Sequence, residues 1–173
     1  LNPGQTVIDW TPTDPTPGPI VVFQNSGTTA TFSSSSDFAV LNRINIADNS
    51  RAIFMNGNID ARVDGVLGHG SVFFYSPSGF VIGSSAVINV GSLVLSASPI
   101  AVDGSGNFLQ GTTATFGQAL NPNAVIVTNA NSQINALNEG SYVALVAPRV
   151  AHHGTINVNG AGALVGAEAA SIN

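Results

Sequence analysis

One tripeptide, an isoleucine followed by Asn or Asp and then Ala or Val, returns four times along this 173-residue chain. It stands at Ile59-Asp60-Ala61, Ile88-Asn89-Val90, Ile134-Asn135-Ala136 and Ile156-Asn157-Val158, with copies 29, 46 and 22 residues apart. After each copy comes a glycine-containing turn and a second apolar burst: Gly70-Ser71-Val72-Phe73-Phe74, Gly91-Ser92-Leu93-Val94-Leu95, Gly140-Ser141-Tyr142-Val143-Ala144-Leu145 and Gly160-Ala161-Gly162-Ala163-Leu164-Val165. Recurrence at a period in the twenties marks a solenoid, in which each short strand stacks on its equivalent one turn below. A sandwich makes no such demand, because its neighbouring strands are antiparallel and unlike one another. Reading the interval of 46 as two periods of 23 predicts seven or eight turns, a rod of about 35–40 Å at roughly 4.8 Å per turn. In such a coil the isoleucines form an internal ladder, and asparagines stacked at the turns hydrogen-bond along the axis.

The remaining pattern agrees with an all-β chain. Apolar residues nowhere recur at helical spacing for three turns, and Gly, Asn, Thr, Ser and Val crowd the windows a helix would need. Short β-rich bursts at 21–23, 29–32, 72–75, 80–82, 87–90, 93–95, 124–127, 142–146 and 155–158 are bounded by Gly, Asn, Ser or Pro. The fold read from this is a parallel β-helix with an N-terminal capping strand and an extra-helical hairpin. The stretch 12–19, with Pro15, Pro17 and Gly18, cannot donate a regular ladder and is read as a loop or cap connection. Residues 7–10 before it are the expected capping strand, with Trp10 over the first turn. The irregular stretch 101–123 contains the turn Asp103-Gly104-Ser105-Gly106-Asn107 and is expected to form a hairpin outside the coil. Gly-Thr-Thr-Ala-Thr-Phe occurs at both 27–32 and 111–116, and both copies are read as short strands or hairpin arms off the regular turns. One domain, 1–173, is expected: cap and first turns over 1–40, motif-bearing turns over 41–100, the hairpin over 101–123 and later turns over 124–173.

Composition narrows the function. Only 8% of residues are charged, 4 basic against 9 acidic for a net charge of −5; soluble domains carry about 25%. That excludes coiled coils and charge-driven disorder, and the four scattered arginines cannot release the counterions that nucleic-acid binding requires. Absence of Cys removes disulfides, thiolate metal sites and thiol nucleophiles. No apolar run approaches the roughly 18–20 residues of a membrane-spanning helix. Leu1 is not an initiator and Asn173 follows no linker composition, so a processed N-terminus and a natural chain that continues past Asn173 are expected.

Several segments, taken in order, resemble the secretion domain of two-partner-secretion exoproteins of the filamentous haemagglutinin type. Leu41-Asn42-Arg43-Ile44, followed by Ser50-Arg51-Ala52-Ile53 and Asn56-Gly57, is similar to that family's Asn-Arg-Val/Ile, Ser-x-Ile and Asn-Gly succession. The run from Val72 through Ser76-Pro77-Ser78-Gly79 to Gly83 resembles its Phe-x-x-Asn-Pro-Asn-Gly-Ile-x-x-Gly signature, and 88–98 and 140–156 resemble its later turns. Ser76 and Ser78 stand where the family has Asn; serine makes the same kind of local turn bond more weakly. The resemblance implies a right-handed coil, exported unfolded from a Gram-negative cell through an outer-membrane POTRA-barrel transporter and folded at the cell surface, where it nucleates the rest of a large adhesin. It also implies that Leu41, Asn42, Arg43, Ile44, Asn56, Gly57, Ser76, Pro77, Ser78 and Gly79 form the transporter-recognition and folding motif. A host or surface receptor would then be met by regions beyond this chain.

Competing chemistry is weaker. A carbohydrate-active β-helix enzyme needs clustered carboxylates. The nearest groupings are Asp60 and Asp64 around Arg62, and Asp14, Asp37 and Asp60 at steps of 23; Asp9, Asp48, Asp103, Glu139 and Glu168 join neither. His152 and His153 are adjacent on a strand and so cannot chelate one ion together. Asp103, Ser105 and Asn107 imitate the start of a calcium loop but lack its terminal Glu. Asn42 and Arg43, if purely structural, are expected to bond loop carbonyls and the Asp48 carboxylate. The expectation is a non-enzymatic domain without cofactor or metal. The alternative is a subunit that self-associates into extracellular fibres, favoured by low charge and abundant Asn, Thr and Ser.

Overall fold

The structure, a computed structural model, describes residues 4–14, 16–167 and 170–172; Leu1, Pro15, Glu168 and Asn173, which enter the reading above, lie outside them. The first strand, β1 (Gly4–Trp10), leads through the proline loop into a turn made of β2 (Ile20–Gln24), β3 (Thr29–Ser34) and β4 (Phe38–Ile44). The course repeats as β5 (Ala52–Met55), β6 (Asn58–Val63), a short arm β7 (Val66–Leu67) and β8 (Ser71–Tyr75), then as β9 (Gly79–Ile82), β10 (Val87–Asn89) and β11 (Ser92–Ser96). An excursion carrying β12 (Leu109–Gln110) and β13 (Thr113–Phe116) precedes β14 (Val125–Thr128) and the bent β15 (Gln133–Ala147). β16 (Arg149–His152) and β17 (Thr155–Gly166) make the last turn, and β18 (Ala170–Ile172) returns to pair with β13.

Parallel pairing sorts these strands into three stacks. The first runs β2-β5-β9-β14-β16. The second runs β3-β6-β10 and on through the first halves of β15 and β17. The third runs β1-β4-β8-β11 and on through their second halves. The architecture is therefore all-β and β-helix-like, with no helix among the described residues.

The recurring tripeptide explains the second stack. Ala30, Ile59, Ile88, Ile134 and Ile156 are register partners on successive strands, and Ile59, Ile88 and Ile134 are at most 1% exposed. Each such side chain removed from water contributes about 1.5–3 kcal/mol. Outside them runs an amide ladder: Asn89 Nδ2 donates to Asp60 Oδ1 at 3.1 Å, Asn135 Nδ2 to Asn89 Oδ1 at 3.0 Å, and Asn157 Nδ2 to Asn135 Oδ1 at 2.9 Å. This ladder lies within the strands, not at the turns, because the middle residue of the tripeptide faces out wherever the isoleucine faces in.

Four expectations are corrected. Ile88 pairs directly with Ile134, so the interval of 46 is one turn lengthened by the excursion, not two turns. The deepest stack holds six strands, about 24 Å at roughly 4.8 Å per step, rather than seven or eight turns. Of the twin hexapeptides only the second lies off the coil, as β13; the first is β3, a regular strand of the second stack. The hairpin itself turns at Gly111, with φ +65°, while Asp103 to Asn107 forms a separate turn on the approach to it.

The excursion lies as a strap over the outer side of the third stack. Ile100, Phe108, Ala114 and Phe116 pack there on Leu41, Phe73, Val94, Ala144 and Val146, a second apolar layer apart from the coil interior. The central third-stack strands, β4, β8, β11 and the second half of β15, are thus buried on both faces, which is why 38–41, 72–75 and 142–147 read as continuous apolar runs instead of alternating ones.

Candidate functional site

Leu41, Asn42, Arg43 and Ile44 form the end of β4, between β1 and β8. Alternation turns Asn42 and Ile44 into the coil and Leu41 and Arg43 outward. Asn42 is fully buried, and a buried amide costs free energy unless its hydrogen bonds are made. Its Oδ1 accepts from Trp10 Nε1 at 3.0 Å, and its Nδ2 donates to the Phe73 carbonyl at 3.2 Å. One side chain therefore clamps β1, β4 and β8 together at the first-turn end of the coil. The Trp10 ring stands edge-on to Phe23 at 5.6 Å. Both border a cavity of about 390 Å³, with Phe32, Met55, Phe74 and Asn42 in its wall.

Arg43 faces Asp9 across the β1–β4 ladder. Its Nε and Nη2 bond the two oxygens of that carboxylate at 2.7 and 2.6 Å. The hydrogen bond from Arg43 holds the Asp9 carboxyl below its ordinary value and raises the guanidinium. Asp48, the partner expected from sequence, instead caps its own loop by accepting from Ser50 N and Oγ at 3.0 and 2.6 Å. The reason is register: Arg43 lies directly opposite Asp9.

Ser76, Pro77, Ser78 and Gly79 make the turn from β8 into β9, and all four are buried. Gly79 N donates to Ser76 O at 3.0 Å, and Ser76 N reaches Ser96 O of the next turn at 3.0 Å. Ser78 N approaches Ser76 Oγ at 3.4 Å, and Ser78 Oγ is buried without a hydrogen-bond partner. Gly79 has φ +76°, and a Cβ there would stand 2.2 Å from Val125 O, so no other residue fits without displacement. Asn56 and Gly57 occupy a different corner, between β5 and β6. Asn56 Oδ1 accepts from Ser85 N at 2.9 Å, and Asn56 N donates to Gln24 O at 3.0 Å. Gly57 is wedged against the Thr28 and Asn25 carbonyls.

The structure thus brings 41–44 beside the strand that ends at the Ser76 turn, since Arg43 and Tyr75 are register partners. It leaves Asn56 and Gly57 apart, and the ten residues do not converge on one concave surface. Arg43 and Asn56 are the two that are not buried.

The acidic groupings disperse. Asp60 pairs with Thr31 in register, not with Asp37, and its carboxylate lies 3.3 Å from Arg62. Asp14 meets Arg51 at 3.4 Å. Among the described residues no group of three or more His, Asp or Glu is placed to hold a metal ion. His152 Nδ1 shares a hydrogen bond with Thr128 Oγ1, and His153 is exposed. Asp103 accepts from Ser105 N, Asn107 N and Asn107 Nδ2, which keeps its carboxyl low.

Two residues that shape this end escaped sequence reasoning. Arg51 ties down the proline loop by donating to the carbonyls of Asp14, Thr16, Gly18 and Ile20. Gln5 reaches from β1 to the strap. In the sequence Arg51 stands out only within Ser50-Arg51-Ala52-Ile53, with no sign of these partners; for Gln5 there is no signal at all. A scan against protein-family models and a search among curated proteins returned no match for this chain.

Proposed function

We propose that this chain is a non-enzymatic secretion and folding-nucleating domain of a large surface adhesin or exoprotein. It is recognised during export from a Gram-negative cell by an outer-membrane POTRA-barrel transporter, and it coils right-handed, as about 98% of crossovers between parallel strands in one sheet do. The observation that carries the reading is the Asn42 clamp. Within the segment 41–44, which resembles part of a recognition motif, Asn42 joins the first three strands of the third stack, so a partner reading Leu41, Asn42 and Ile44 would meet them before β1 closes. Low charge and the lack of Cys suit passage of an unfolded chain, because no disulfide can form in an oxidising compartment on the way. Contacts between neighbouring turns let folding then spread from this end.

The Arg43–Asp9 pair provides the test. Arg43→Ala and Asp9→Ala break the same ion pair in the folded domain, but only Arg43 belongs to the motif. With the transporter co-expressed, Arg43→Ala is expected to lower export while Asp9→Ala leaves it near wild type. Equal export of both variants would remove the recognition role.

A second reading, a subunit of an extracellular filament, is favoured by one observation. β17 pairs only with β15 among the described residues, and its twelve residues carry no charge of the kind that protects natural strand edges. Light scattering separates the two, since a strictly monomeric protein removes the filament.

A further inference from the structure

Gln5 lies on the outer side of β1, opposite Ala39, and its side chain makes three hydrogen bonds to residues more than a hundred positions away. Oε1 accepts from Phe108 N at 2.9 Å and Leu109 N at 2.7 Å, while Nε2 donates to Leu109 O at 2.9 Å. The side-chain amide thus substitutes for a strand partner to the backbone where the strap enters β12. Next to it the Phe108 ring stands edge-on to Phe73 at 5.0 Å, and Phe73 carries the carbonyl that Asn42 binds. The strap covers Leu41 and Phe73, outward neighbours of the buried clamp.

Among the described residues β1 has strand pairing on one edge only, to β4. It is also held by Ile8 against the coil interior, Trp10 on Asn42 and Phe23, Asp9 on Arg43, Val7 under the strap and Gln5. Without the strap, Gln5 and Val7 face water and β1 is a single edge strand, which frays readily. Bringing the strap across costs loop-closure entropy that grows only slowly with length, and burial of Ile100, Phe108 and Phe116 offsets it.

We propose that Gln5 and the strap form a latch: β1 locks over β4 only once residues 99–116 have reached the outer face, and until then the segment bearing Asn42 and Arg43 stays open to a partner. This rests on the recognition reading above and supplies its timing. Recognition and release follow from how much chain is present, with no separate switch.

Pulse-labelled hydrogen exchange on the refolding full chain tests it. Amides of Gly4–Trp10 and of 108–116 are expected to gain protection in one shared phase, later than Ile88 and Ile134. Native-state exchange of Gln5→Ala is expected to rise at least about tenfold across both β1 and the strap, the scale of losing several partly buried hydrogen bonds, with Ile88 and Ile134 unchanged. Phe108→Ala leaves β1 itself unaltered, removing a strap ring that packs on Phe73, and is expected to loosen β1 as well. Protection of β1 before the strap, or a Phe108→Ala variant with a loosened strap and an unaltered β1, would overturn the latch. Neither measurement involves the transporter, so that result would leave the export reading standing, and normal export of Arg43→Ala would remove that reading without touching the folding order.

Discussion

Replacing Gly79 by Ala isolates what the buried turn at Ser76 to Gly79 contributes. At φ +76° an L-residue pays roughly 1–2 kcal/mol of backbone strain. The new methyl would also stand 2.2 Å from Val125 O, 2.9 Å from Val125 N and 3.0 Å from Val125 C. These are backbone atoms of β14, which pairs with β9 in register at this residue, so no rotamer change relieves the contact. Restoring ordinary separation needs a displacement of roughly 1 Å between the strands, enough to weaken one or two ladder hydrogen bonds worth about 1 kcal/mol each. Gly79→Ala is therefore expected to cost about 2–4 kcal/mol. Gly140 is the control: its φ is +75° but nothing lies within 4 Å of a built Cβ, so Gly140→Ala should cost the strain alone, about 1–2 kcal/mol. Urea denaturation followed by Trp10 fluorescence and far-ultraviolet circular dichroism measures both. If the two costs agree within about 0.5 kcal/mol, the close approach of β14 contributes nothing and the steric part of the reasoning is refuted.

Asn89→Ala removes two bonds of the amide ladder and is expected to destabilise by about 1–2 kcal/mol, whereas Asn157→Ala, at the ladder's end, removes one; equal losses in urea would argue against a stacked ladder. The Asp9 carboxyl is lowered mainly by its hydrogen bond from Arg43, so its contribution is complete above the unfolded value near 3.8 and is lost as pH falls through the lower folded value. Emission of the single Trp, in β1 beside Asp9, is expected to change in that acid range, and Asp9→Asn should abolish this part of the change. Burial pushes the Tyr142 phenol up to about 12 and also raises Tyr75. An absorbance titration of the folded protein should thus show its two tyrosines ionising above their ordinary value near 10, with stability falling as pH rises from there towards 12.

Legibility in the sequence followed the range of the interaction. The strands at 72–75, 80–82, 87–90 and 155–158 could be read from local β-rich bursts between turn residues. β4 is legible only as a motif, because 38–41 is apolar at every position and lacks the alternation that marks a half-buried strand. Trp10 was placed correctly over the first turn, yet its bond to Asn42 joins residues 32 positions apart and leaves no local trace. Arg43 was assigned to Asp48 because that carboxylate is near in sequence; Asp9, 34 positions away, is nearer in space because β1 and β4 are in register. Asn42 was named, but its inward orientation depends on which face of β4 meets the coil.

What the residue order settles unaided is that strands here are parallel and stacked. An isoleucine, an amide and a small residue recurring together make sense only where equivalent positions meet, since the isoleucines then share one dry column and the amides bond along it. What it leaves to tertiary structure is how much chain lies between equivalent positions and where the surplus goes. The 46 residues from Ile88 to Ile134 suit two turns or one turn and a strap equally well by period. The choice is made by apolar side chains on the outer side of the third stack, which need a cover, and by Gln5, whose amide finds the strap's backbone across more than a hundred residues.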